Sequence, residues 1–351
     1  MFAKKIALSF IACAVLVGVV SVVAAQSSEQ ALLERAQQLF KALPADAATA
    51  EHPLTPERVA LGKILFFETR ASIDGTVSCA KCHLPSLHGA EGLPTSFGNM
   101  GKAIPRNAPT VFNTALQFVQ HYGGNRKDVE EQAEKALISP LAYGNADYAA
   151  AEAKLRAIPG YRSLFEKTFP GEAEPITAKN WAKSIGAYER TLLTPAPFDR
   201  YLAGDQNALS GQAKTGLDKF INTGCVGCHS GVVVGGTMYQ KFGITQDYWT
   251  ATGSKNIDKG RFNDTKNEAD TYMFKVEQLR NVAVTAPYFH DGSVNDLKDA
   301  IRIMAKVQLG RDLGADDIGD IQAFLESLTG DVPKEFALVP SLPPAPFKAQ
   351  P

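Results

Sequence analysis

Two copies of one five-residue pattern, Cys79-Ala80-Lys81-Cys82-His83 and Cys225-Val226-Gly227-Cys228-His229, constrain this chain more than anything else in it. Two cysteines three positions apart, with histidine directly after the second, form the attachment signature of c-type haem. The thiols add to the haem vinyl groups and the imidazole becomes an axial iron ligand. A zinc knuckle or a pair of disulfides would also use such cysteines, but neither needs that histidine twice. A chain holding two covalent haem c groups must wrap two large apolar rings. The expectation is therefore a mainly α fold of two c-type cytochrome domains, each built around one haem.

The remaining cysteine usage agrees with export. Lys4 and Lys5, an apolar run from Ile6 to Ala25 and small residues at Val23-Ala24-Ala25 describe a signal peptide over 1–25. The run is also long enough to stay uncleaved as a membrane anchor. Of 5 cysteines, Cys13 lies in this leader and the other four are the haem thiols. None is left for a structural disulfide, so packing must supply stability. A net charge of −1 gives no reason to expect nucleic acid or an anionic surface as a partner.

A weak internal repeat sets the organisation. Thr55-Pro56-Glu57 opens one helix with the stripe Leu61, Ile64, Leu65, and Ser210 caps another with Leu217, Phe220 and Ile221; a haem motif follows each. Further helical patterns run over Ala133 to Leu137, Tyr148 to Ile158, Ala178 to Leu192 and Asp316 to Leu328. Trp181 and the phenylalanines on these stripes read as core or haem-packing groups. Thr194-Pro195-Ala196-Pro197 marks the expected junction between an N-terminal haem domain over 26–197 and a C-terminal one over 198–331. The Pro-rich tail over 332–351 is expected to run extended over the surface. Loops over 89–107 and 231–264 are expected to line the haem edges.

Pro105 to Asn113 (PRNAPTVFN), Leu279 to Val282 (LRNV) and Ala286 to Gly292 (APYFHDG) accompany the two haem motifs in order. This set resembles the bacterial dihaem cytochrome c peroxidase family, which includes the dihaem enzyme that matures methylamine dehydrogenase. The likeness covers nearly all of the chain beyond the leader. It implies a periplasmic enzyme that reduces hydrogen peroxide to water at haem 1, held by Cys79, Cys82 and His83. Electrons would be relayed through haem 2 from a small cytochrome c or cupredoxin. The resemblance makes His229 and Met304 the axial ligands of haem 2, with Met238 and Met273 as weaker alternatives. It also implies one calcium ion held by the Asn107 side chain and the Thr285 and Pro287 carbonyls, contacts near the haems from Arg280 and His290, and a homodimer.

Several family positions differ in this chain. The distal histidine falls at Asn99 and the distal glutamate at Ala142, whereas the distal glutamine is kept as Gln132. Tyr122 stands where the family has a tryptophan between the haems. A peroxide site needs a group that moves protons between the two oxygens. Gln132, Tyr122 and His121 are the candidate catalytic residues left, with His88 as a weaker distal candidate and Met100 as the nearest alternative ligand for haem 1. His52 reads as a surface residue. Three functions follow: a peroxidase, a dihaem oxidase that modifies a protein partner, and a non-catalytic dihaem electron carrier or sensor.

Overall fold

The computed structural model describes residues 28–344, so the expected leader and the last seven residues lie outside the described part. Among the described residues no helix is long and apolar enough to cross a membrane. After α1 (28–39) come α2 (Pro56–Phe66), α3 (Cys79–Cys82), α4 (Val129–Ala136), α5 (Tyr148–Arg156), α6 (Pro159–Thr168) and α7 (Ala178–Glu189). The second half adds α8 (Pro197–Leu202), α9 (Gly211–Thr223), α10 (Tyr248–Thr252), α11 (Phe262–Thr265), α12 (Leu297–Leu309), α13 (Ala315–Glu326) and α14 (Lys334–Ala337). One short ribbon, β1 (Tyr239–Lys241) against β2 (Met273–Lys275), runs antiparallel with Gln240 opposite Phe274.

The helices start where their caps are. Thr55 accepts from Arg58 N and Pro56 fills the first turn of α2. Ser210 accepts from Ala213 N at α9, which stops at Gly224 in the left-handed region (φ 103°). Asp128 caps α4, which therefore begins four residues before the Ala133 start read from the sequence. Each half is then built on one helix crossing at a glycine. A Cβ on Gly62 of α2 would lie 1.8 Å from Ser184 O of α7, and one on Gly216 of α9 would lie 1.8 Å from Asp320 O of α13. Only a missing side chain lets these backbones approach so closely.

Two apolar clusters result. One joins Leu61, Phe66, Tyr161, Trp181, Ile185 and Tyr188; Trp181 is buried as expected, its Nε1 donating to Ala133 O. The other joins Phe198, Leu217, Phe220, Val307, Ile321 and Phe324, and α1 contributes Leu33, Ala36 and Phe40 to it. The tail departs from the extended surface run expected of it. Phe336 on α14 is fully buried, with its ring 4.9 Å from Phe112 and 5.9 Å from Phe66. Burying one phenylalanine outweighs what six prolines suggest about the segment around it. At Thr194, where the sequence places the expected junction, the chain is locked: Asn113 and Asn281 both donate to Thr194 Oγ1 at 2.9 Å, and Thr194 N donates to Asn113 Oδ1.

Candidate haem sites

Each five-residue motif forms one turn and presents its side chains to a cavity. His83 N bonds to Cys79 O and His229 N to Cys225 O, so the two thiols and the imidazole of each motif gather on one side of a turn. The first cavity, about 1280 Å³, is lined by Cys79, Cys82 and His83. The second, about 280 Å³ and strongly apolar, is lined by Cys225, Cys228, His229 and Met304. Among the described residues no cysteine is in a disulfide. Burial pushes the thiols up, Cys79 to about 12 and Cys82 and Cys225 to about 11.

The histidines fit haem as well. His83 Nδ1 lies 3.0 Å from Gly89 O, which fixes the ring and leaves Nε2 as the ligand atom. Burial lowers the pKa of both imidazoles, that of His229 to about 4, and keeps them neutral as iron ligation requires. Nδ1 of His229 is buried without a partner, beside the Gly235 turn. A Cβ on Gly235 (φ 130°) would meet Glu277 O at 2.4 Å and His229 Nδ1 at 3.2 Å, so the turn needs glycine. Of the methionines, Met304 on α12 shares the His229 cavity, while Met238 and Met273 do not line it.

Six residues line both cavities and so form the wall between them: Asn107, Pro109, Thr110, Tyr122, Lys275 and His290. Tyr122 OH donates to Asn107 Oδ1 at 3.4 Å, and its ring meets that of His290 edge-on at 6.3 Å. Burial raises the phenol far above its ordinary pKa, so Tyr122 is neutral. Lys275 is buried in the wall, where Nζ donates to Gln117 Oε1 and, at 2.9 Å, to Glu277 Oε2. His290 Nε2 is buried with no partner. Asn107, Thr285 and Pro287 all line the second cavity.

The first cavity brings together Gln132, His121, Tyr122 and the Ala142 methyl. Val129, Gln132 and Ala136 are one face of α4, at i, i+3 and i+7. His121 Nδ1 lies 2.8 Å from Asn125 Oδ1 on an exposed stretch of the cavity lining, where desolvation and the neighbouring Arg126, Lys275 and Arg106 charges lower the imidazole pKa. Three other residues weighed from sequence are not brought to it. Asn99 is fully buried but turned away, donating to Pro140 O and Ala142 O at 2.9 and 2.7 Å. Met100 is 65% exposed and outside the cavity, and His88 gives only its carbonyl, to Thr110. His52 is half-buried rather than on the surface, with Nδ1 3.4 Å from Glu130 Oε1 and Nε2 3.8 Å from Asp128 Oδ2.

Sequence reasoning passed over other polar groups at this site. Arg106 grips Asp258 with Nε and Nη2 at 2.8 and 3.0 Å, so that a loop of the second half borders the first cavity. Arg190 is buried against Glu130, and the Glu189 carboxyl lines the cavity beside them. Both ion pairs are contacts across long stretches of chain, which no local spacing marks.

Comparison with known proteins agrees with this geometry. A family model described as di-haem cytochrome c peroxidase matches residues 56–207. The chain is 42% identical over 314 residues to the cytochrome c551 peroxidase of Pseudomonas aeruginosa, covering 89% of this chain and 90% of the relative. It is 36% identical over 252 residues to the methylamine utilization protein MauG of Methylorubrum extorquens, covering 70% and 68% respectively. Among solved structures, a MauG-like protein associated with microbial copper homeostasis superposes with a TM-score of 0.73 at 26% identity, over 86% of this chain and 97% of that one. The diheme peroxidase BthA of Burkholderia thailandensis shares the fold, with a TM-score of 0.67 at 20% identity over 89% and 94% of the two chains.

Proposed function

The chain belongs to the di-haem cytochrome c peroxidase family, and from that premise we propose that it reduces hydrogen peroxide to water in the first cavity, with electrons received at the second. One observation carries this assignment. Met304 shares the second cavity with His229, whereas neither Asn99 nor Met100 lines the first cavity with His83. Bound haem c supplies the redox chemistry: thioether ligation raises the potential at a site that accepts electrons, and an iron face without a strong sixth ligand admits peroxide.

The protein's own part lies in holding and protonating. Cys79 and Cys82 would tether one haem and Cys225 and Cys228 the other, with His83 and His229 as proximal ligands and Met304 as the sixth ligand of the second. Gln132 offers an amide to orient peroxide, and neutral His121 offers a ring nitrogen as acceptor or donor. Tyr122 and His290 put aromatic groups in the wall that an electron must cross. A calcium ion suits the oxygens of Asn107, Thr285 and Pro287, since hard cations take carbonyl oxygen. The setting is the periplasm, the donor a small cytochrome c or cupredoxin, and the assembly a homodimer.

A protein-modifying oxidase is the second reading, favoured by Asn99 where the family has its distal histidine. The test is peroxide consumption by the holoprotein with a reduced small cytochrome c, before and after one-electron reduction of the enzyme. Turnover without prior reduction is expected. Absence of turnover in both states would remove the peroxidase assignment.

A further inference from the structure

Ala142 leaves the first cavity without the family's carboxylate, yet another carboxyl lines the same cavity. Glu189 is the last residue of α7 and only 5% exposed, and its side chain borders the space shared by Cys79 and Gln132. Among the described residues no hydrogen-bond donor meets its carboxyl. The adjacent cation is already engaged: Arg190 donates from Nε and Nη2 to the two Glu130 oxygens at 2.7 and 2.8 Å, and from Nη1 to Ala47 O at 2.9 Å. Glu130 lies against α7 because residue 186 is glycine, where a Cβ would sit 2.3 Å from Glu130 Oε1.

The Cys79 thiol also faces Glu189, and other charged groups sit on the neighbouring elements. On α2, Lys63 binds Glu335 and Arg58 donates to Pro53 O. Across the cavity, Arg126 Nη1 donates to Asn125 O while its Nε has no partner, Lys275 is held by Gln117 and Glu277, and His121 Nδ1 faces Asn125 Oδ1. On α4, Asp128 caps its own helix with His52 beside it. Burial first, and the Glu130 charge second, therefore raise Glu189 to about 8 against a partial opposing pull from Arg190. At neutral pH this carboxyl holds a proton beside the cavity.

We infer that Glu189 is the proton donor of the first cavity, in the role the family pattern gives to a glutamate at the position of Ala142. The inference rests on the peroxidase reading. Reducing one peroxide breaks its O–O bond, consumes two electrons and two protons, and releases two waters. The electrons come from two equivalents of a reduced one-electron donor protein and the protons from solvent. Glu189 passes one proton to the departing oxygen, becomes carboxylate and is reprotonated from water.

The test compares wild type, E189Q and E189D as holoproteins with peroxide and a reduced small cytochrome c, across about pH 5 to 9.5. It also follows the protonated-carboxyl stretch by infrared difference spectroscopy. Wild-type turnover is expected to fall above about pH 8, while E189Q loses on the order of 10²-fold and that inflection. E189D should recover part of the rate with a shifted inflection. The wild-type carboxyl band should vanish at the same pH as the rate and be missing from E189Q. An E189Q enzyme with wild-type rate and pH profile would overturn the role of Glu189 and leave the peroxidase intact. A wild type without turnover would remove the peroxidase reading itself. Should E189Q fail to accumulate, the wild type decides: rate and band titrating together support the role, and a band that does not titrate overturns it.

Discussion

Replacing Asp199 with asparagine tests how the second cavity is held together. The Asp199 carboxylate takes four hydrogen bonds: Arg280 Nη1 and Nη2 at 2.8 Å each, and Leu43 N and Ala196 N at 2.7 Å each. Arg280 is 1% exposed, lines the second cavity, and donates from Nε at 2.7 Å to Val232 O, three residues beyond His229. An amide at position 199 keeps one acceptor oxygen but turns two donors toward a buried guanidinium. Breaking one partner of a buried, hydrogen-bonded ion pair costs about 3–5 kcal/mol, because the other charge is left without compensation. Urea unfolding of the holoprotein, followed by far-ultraviolet circular dichroism with unchanged m, should show a loss of that size for D199N. The exposed Asp299–Arg302 pair, both side chains more than half exposed, is the control; D299N should stay within about 0.5 kcal/mol. The double variant D199N/R280M should recover part of that stability, since it removes the stranded charge. A D199N loss below about 1 kcal/mol would refute the reasoning.

Two further predictions concern packing and pH. Gly216→Ala should destabilise by more than about 1 kcal/mol although alanine is the better helix former, because its Cβ would lie 1.8 Å from Asp320 O; Gly211→Ala, with nothing within 4 Å, should not, and thermal unfolding of the two checks this. A carboxyl raised from about 4.3 unfolded to about 8 folded binds its extra proton only in the native state, so Glu189 should make wild-type stability fall as pH rises through that window, by about 3–5 kcal/mol, and flatten above it. E189Q should lack that decline, and parallel stability curves for the two proteins from about pH 5 to 8 would sink the assignment.

Much of the haem chemistry was legible because it is local. Attachment needs five consecutive residues, and the capping residues Thr55 and Ser210 stand directly before the helices they start. Met304 could be tied to His229 only through the family pattern, since 75 residues separate them and a lone methionine on an apolar face reads equally as core. Phe336 shows the opposite limit. Its proline-rich surroundings say surface, but its burial against Phe66, Phe112 and Tyr188 depends on partners far away in the chain. Asn99 was read as facing the first haem because of its register; its amide is instead spent on two carbonyls of the loop that carries Ala142.

Register alone therefore says where a family's side chain would be, not which way this chain's residue points. That distinction matters most at the first cavity. Losing the carboxylate at position 142 reads from sequence as loss of proton chemistry, which would favour an electron carrier or sensor. The cavity nevertheless keeps a carboxyl, because Glu130 takes the adjacent Arg190 and leaves Glu189 buried and without a hydrogen-bond donor. A buried acid without a counter-charge is unfavourable for folding at neutral pH. Groups kept at such a cost are concentrated where they handle protons. The wall, by contrast, is built from Tyr122, Lys275 and His290, which come from segments on both sides of the Thr194 junction. On the proposed function, protons and electrons have separate structural carriers: the α4–α7 pair on one flank, and the shared wall on the other. An electron carrier would need only the wall, so the persistence of the acid on the α4–α7 flank argues for an enzyme.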